Sequence, residues 1–250
     1  MNHHIDYVLR LADNALILGQ RLGEWCGHGP VLEQDIALTN ISLDLIGQAR
    51  SFYQYVAELD GQGKSEDDYA FLRDAWDFCN VLLVELPKGH FGTTIVRQFL
   101  YDAYSFYFYT ALKNSSDTQL AAIAEKSLKE VNYHLRWSSE WVIRLGDGTA
   151  ESHEKVQTAL NDLWTYTGEM FMMNDTDKIM LDLGIGVDLE DVQALWQLKV
   201  KEVLTQATLT QPNPNMWMQR GGKEGKHSEH LGFILAEMQF LQRAYPNAKW

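Results

Sequence analysis

Residues 36–49 read IALTNISLDLIGQA. Apolar side chains recur at helical spacing, while Asn40, Asp44, Gly47 and Gln48 stand three and four positions apart and so share one face. A helix carrying polar groups through so apolar a run brings them toward a core, where each needs a partner. The run lies inside a helix expected from about Glu33 to Glu58 through Ile36, Leu43, Ile46, Phe52, Tyr53 and Val56. Gly27-His28-Gly29-Pro30 precedes this helix and Gly61-Gln62-Gly63 ends it.

Outward from there the chain reads as helix after helix. A first helix over Ile5 to Glu24 is apolar around much of its cylinder and is expected to be buried on more than one face. A third covers residues 66 to 86 and stops near Pro87; a fourth covers 91 to 113 and is dense in aromatics, from Phe99 to Tyr109, which suggests a large buried interface. Asn114-Ser115-Ser116-Asp117 offers caps for a fifth that continues to Gly146. A sixth is expected from Glu151 to Phe171 and a seventh from Asp188 to Leu209. Two prolines and three glycines make the stretch of about 211–227 an extended arm, followed by a C-terminal helix over about 228–243. No period-2 pattern competes, so the expected fold is all-α: one domain over 1–250, a long-helix bundle with additional C-terminal helices.

Such bundles hold di-iron centres through a carboxylate from each of two helices and a Glu-x-x-His pair from each of two others. Here the ligands do not assemble. The one carboxylate three residues before a histidine is Glu224 with His227, in a glycine-rich stretch that disfavours a helix. Asp44 is followed at that spacing by Gly47, and Glu130 by Tyr133, while His134 lies one residue further on. With Asn14 on the first helix and Asp102 on the fourth, these groups predict a metal-free polar network whose carboxylates are hydrogen-bonded to protein. His227 and His230 have no evident third metal ligand, and read as a helix start or an interface. Cys26 beside Trp25 and His28 forms half of a thiol–imidazole pair, without a geometry that fixes it. Lys223 and Lys226 in the arm are candidates for a phosphate contact.

Composition narrows the partners. With 21 basic and 34 acidic residues the net charge is -13, and no basic run is long enough to track phosphates, which argues against nucleic acid and anionic membranes. No apolar stretch approaches the roughly 20 residues of a membrane span. Met1 to Arg10 lacks the order of a signal peptide. Cys26 and Cys79 fit neither a zinc site nor a disulfide scaffold. A reducing cytoplasm is expected.

The stretches RLADNAL (residues 10–16), QRLGEWCGH (20–28), LDLIGQAR (43–50), GGKEGKHSEHLG (221–232) and AEMQFLQR (236–243) together resemble the C subunits of bacterial phenylacetyl-CoA epoxidases, over essentially the whole chain. The resemblance implies a ferritin-like fold shared with a catalytic A subunit, a di-iron monooxygenase that epoxidises the ring of phenylacetyl-CoA with oxygen and electrons from a separate reductase. It implies that the C subunit is a non-catalytic structural partner without a cofactor of its own. Placed on the ligand pattern of the A subunit, the vestigial positions are Asn14, Asp44, Gly47, Asp102, Glu130 and Tyr133. Lys223 and Lys226 become candidates for contact with coenzyme A, and the isolated chain for a homodimer. The competing reading is an oxygenase in its own right, with an irregular iron site around Asp44, Asp102, Glu130 and His134.

Overall fold

The computed structural model describes residues 2–213, 215–246 and 248. Met1 at the start, Pro214 of the arm and the chain-end residues Asn247, Lys249 and Trp250 lie outside them. All regular structure among the described residues is helical: α1 (His3–Gly23), α2 (Leu32–Asp60), α3 (Glu66–Phe71), α4 (Leu82–Glu85), α5 (Phe91–Leu112), α6 (Thr118–Gly146), α7 (Ala150–Trp164), α8 (Asp175–Asp182), α9 (Leu189–Gln206), α10 (Glu229–Met238) and α11 (Phe240–Ala244). No helix among them is long and apolar enough to cross a membrane. The fold class is therefore all-α and ferritin-like, built on long helices with further helices toward the C-terminus. The chain folds into two compact units, residues 1–87 with 221–250, and residues 88–220.

The first unit is organised by the hairpin of α1 and α2. Asn2 caps α1, its side chain accepting from the amides of His4 and Ile5, and Gly61 in the left-handed conformation ends α2. The pairs Gly19–Ser42, Asp13–Tyr53 and His4–Tyr55 run in opposite directions along the two helices, so they are antiparallel. From Arg10 to Gly19 every residue of α1 is buried, as its all-round apolar pattern required.

Residues 66 to 86 do not form one helix. The stretch breaks into α3, a 3-10 turn at Ala75–Asp77 and α4. Its apolar spacing fits a helix, but its backbone groups are claimed by side chains from elsewhere. The Asp13 carboxylate accepts from Cys79 N at 2.9 Å and Asn14 Oδ1 accepts from Val81 N at 2.8 Å. Arg73 donates to Asp77 O at 2.9 Å. Capping boxes at Ser65–Asp68 and Asp74–Asp77 start fresh turns, and the side chain of Arg243 donates to the carbonyls of Phe71, Leu72 and Arg73 at the C-terminal end of α3.

The second unit is centred on the antiparallel pair α5 and α6, joined across by Phe91–Trp141 at one end and by Asp102–Ser138 further along. Asp117 caps α6 by accepting from Leu120 N, within the capping cluster expected there. The aromatics of α5 are largely internal: Phe99, Tyr101, Tyr104, Phe108 and Tyr109 are buried, and Tyr104 meets Phe171, which meets Trp196. The sixth helix ends at Trp164, seven residues early, and a 3-10 turn (Gly168–Phe171) puts Phe171 into that aromatic cluster. Helix α8 was not expected; its start is an Asn174–Asp177 capping box. Residues 211–213 and 215–220 contain no regular helix or strand, and are tied to this unit where Trp217 O accepts from Thr165 Oγ1 and Gln219 N donates to Thr165 O. The C-terminal helix divides into α10 and α11 at Gln239, whose side-chain amide donates to Ala70 O and Arg73 O.

Asp13 also accepts from Tyr53 Oη at 2.6 Å and pairs with Arg73, whose guanidinium lies 4.2 Å from the Phe78 ring centroid. Burial raises the Tyr53 phenol well above its usual range, with the Asp13 charge acting the same way, so the phenol remains a donor. Asp13→Ala takes the wholly buried carboxylate away from a half-buried guanidinium and frees Cys79 N. It should cost about 3–5 kcal/mol, read as a lowered urea midpoint at unchanged slope; a loss under about 1 kcal/mol would show that the pair behaves like a surface salt bridge.

Candidate functional site

The expected vestigial positions divide between the two units. In the first, Asn14 is buried and Asp44 half-buried, while Gly47 and Asn40 are exposed and Gln48 is buried. The polar residues of α2 therefore do not all face a core; the face through Asn40 and Gly47 is turned to solvent. Asn14 is committed to Val81 N, so the amide at this position holds the irregular segment between α3 and α4.

In the second unit, Asp102 on α5 is buried, Glu130 on α6 half-buried, Tyr133 exposed and His134 fully buried. Gln98, one turn before Asp102, donates to its Oδ1 at 2.6 Å, and Ser138, one turn after His134, donates to Oδ2 at 2.8 Å. Both carboxylate oxygens thus have protein donors. Burial pushes the Asp102 carboxyl up to about 6, against the opposing pull of His134, Ser138 and Gln98. Gln98 and Ser138 are absent from the residues expected at this site, although their four-residue spacing from Asp102 and His134 marks them as neighbours.

A di-iron centre does not fit this donor set. Such a site takes carboxylates whose oxygens face the metals and a histidine beside each. Here Gly47 carries no side chain, Tyr133 is exposed and Asp102 is already bonded through both oxygens. Among the described residues no group of three or more His, Cys, Asp or Glu is placed to hold a metal.

The other candidates have plain surroundings. Cys26 is exposed, and the neighbouring His28 ring meets the Cys26 backbone carbonyl at 3.1 Å. Cys79 is pushed up to about 11, chiefly by burial and then by Asp13, and stays a thiol. Lys223 is buried, and Lys226 is exposed and pairs with Glu224 at 3.3 Å. His227 bonds to Glu85, and Ser228 caps α10 two residues before His230.

A family model described as "Phenylacetic acid catabolic protein" matches residues 1–250. The chain is 50% identical over 250 residues, all of both proteins, to the C subunit of the 1,2-phenylacetyl-CoA epoxidase of Escherichia coli (strain K12).

The raised Asp102 carboxyl fixes a sign. Its stabilising contribution is complete below the unfolded value of 3.8 and is lost as pH rises through about 6. Relative to an Asp102→Asn variant, the protein should therefore lose about 2–3 kcal/mol between acidic and neutral pH, measured as paired urea midpoints. A difference that does not change with pH would show that Asp102 titrates normally.

Proposed function

This chain belongs to the phenylacetic acid catabolic protein family, and we propose that within it the chain is a non-catalytic, cytoplasmic subunit of a phenylacetyl-CoA epoxidase. It binds and stabilises a catalytic subunit that carries the di-iron centre, and meets the reductase only indirectly. The observation that carries this reading is the commitment of Asn14 and Asp102 to internal hydrogen bonds. These bonds hold packed segments in register, and beside them the positions where a di-iron bundle carries its histidines are Gly47 and the exposed Tyr133.

The surface supports a partner. Along α2 the side chains Leu32, Ile36, Leu43 and Ile46 fall on one side of the helix and are 36–72% exposed. Large apolar residues grouped on one exposed helix face suit a stable contact between subunits, the more so as the aromatics of α5 are turned inward and leave that role open. Gly47, at the next turn, adds no side chain to obstruct an approaching helix. A coenzyme A contact through Lys223 and Lys226 is a weaker part of the reading, because the first is buried and the second is paired with Glu224.

Co-expression with the catalytic subunit should give a complex that co-elutes at micromolar concentration, and failure to co-elute would sink the subunit reading. The double substitution Ile36→Glu and Leu43→Glu should weaken that complex by roughly 100-fold. Because both positions are exposed, stability should change by no more than about 0.5 kcal/mol each. Unchanged affinity would move the interface elsewhere. In the same reading residues 1–250 behave as one domain, and calorimetry should give a single unfolding transition.

A further inference from the structure

Residues 221–230 are fastened to the first unit by contacts that meet at one titratable side chain. The backbone of this stretch presses onto the irregular segment between α3 and α4. A Cβ at Gly222 would lie 2.2 Å from Asn80 O, and one at Gly225, where φ is +73°, 2.5 Å from Trp76 O. Only glycine permits both approaches. Immediately after them His227 turns inward, its side chain 5% exposed, with Nδ1 2.7 Å from Glu85 Oε2 and Nε2 2.8 Å from Phe78 O.

The protonation state follows from the partners. A peptide carbonyl only accepts, so Nε2 carries a hydrogen. The wholly buried Glu85 accepts from Ser228 N at 2.6 Å through Oε1 and from Asn80 Nδ2 at 2.8 Å through Oε2. Both Glu85 oxygens thus act as acceptors toward neighbouring donors, and the oxygen facing Nδ1 is an acceptor there as well. Nδ1 must then carry a hydrogen as well, which makes His227 an imidazolium with both N–H groups engaged.

Charges on the packed elements favour that state. Glu85 on α4 and Asp13 on α1 are negative neighbours, while Arg73 partly offsets Asp13. Arg21 on α1 pairs with Glu24 and directs its remaining donors to the carbonyls of Glu85 and His230. On the segment itself Lys226 is exposed and pairs with Glu224, and Cys79 opposite remains neutral. Burial alone would lower the imidazolium's pKa; the Glu85 bond and charge, the Phe78 carbonyl and Asp13 outweigh it and raise it above 6.5.

We propose that His227 is a proton-operated latch: as an imidazolium it fastens residues 221–230 to the 76–85 segment, and loss of one proton releases them. Whichever ring nitrogen gives up its proton, its lone pair then faces an acceptor at hydrogen-bond distance, Phe78 O or the Glu85 carboxylate, and that contact becomes repulsive. Because the folded value is raised, the latch is complete below the unfolded value of 6.5 and opens as pH rises through the folded one. The released stretch leads directly into α10 and α11, whose Gln239 and Arg243 hold the end of α3.

The test is tryptic cleavage after Lys226 in the full chain between about pH 6 and about pH 9. Each rate is divided by that of an unstructured peptide of residues 219–232 at the same pH. The normalised rate should rise roughly tenfold with pH, while nitrogen-15 spectra show both His227 ring nitrogens protonated on the acid side. Glu85→Gln should move the rise to lower pH, and His227→Gln should cleave rapidly at every pH. Should His227→Gln fail to fold, the native protein and Glu85→Gln decide. A normalised rate independent of pH, or a neutral His227 ring at about pH 6, overturns the proposal.

Discussion

The first unit depends on satisfying the backbone of a buried segment that is neither helix nor strand. Residues 78–81 pack against α1, and an unmet polar group buried there costs several kcal/mol. The partners are side chains: Asp13 for Cys79 N, Asn14 for Val81 N and His227 for Phe78 O, with Arg73 holding the adjoining Asp77 O. Asp13 is the hub, since Tyr53 from α2 and Arg73 from beyond α3 converge on it as well. The adjacent pair Asp13-Asn14, inside an otherwise apolar helix, thus fixes where α3 ends, how α2 lies against α1, and what the C-terminal segment docks onto.

The same physics accounts for the second unit and for what it does chemically. Asp102 lies on a long helix of the kind that presents metal ligands in oxygen-activating bundles, yet its two oxygens receive Gln98 and Ser138. A buried carboxylate needs protein donors, or its burial would be prohibitive. Gln98 and Ser138 are those donors, and burial still raises the carboxyl to about 6. The result is a helix pair stapled through a polar bond at its centre, suited to present a stable surface to another subunit.

The long helices were legible because their apolar spacing, caps and terminal glycines agree: α1, α2, α5 and α6 lie within a few residues of where the sequence placed them. The break at 72–81 was not legible from periodicity, since Phe78, Val81 and Leu82 fit a helix as well as a buried irregular run; tertiary hydrogen bonds from Asp13 and Asn14 decided it. The aromatic density of α5 was read as an interface when it fills the interior, because spacing alone does not say what covers an apolar face. At the candidate site, Asn14 and Asp102 were placed correctly as buried polar groups. Tyr133 and Gly47 face outward, and the partners Gln98, Ser138 and Arg73 became visible only once the helices were paired.

The central claim is the proposal that Asn14 and Asp102 serve the fold and that this chain holds no iron of its own. Elemental analysis of the chain purified alone, without chelator or affinity tag, and again in complex with the catalytic subunit, tests it most directly. The account predicts iron well below one per chain alone, and in the complex an amount that follows the catalytic subunit only. About two irons per chain in the isolated protein would contradict it, and would require assaying this protein as an oxygenase in its own right.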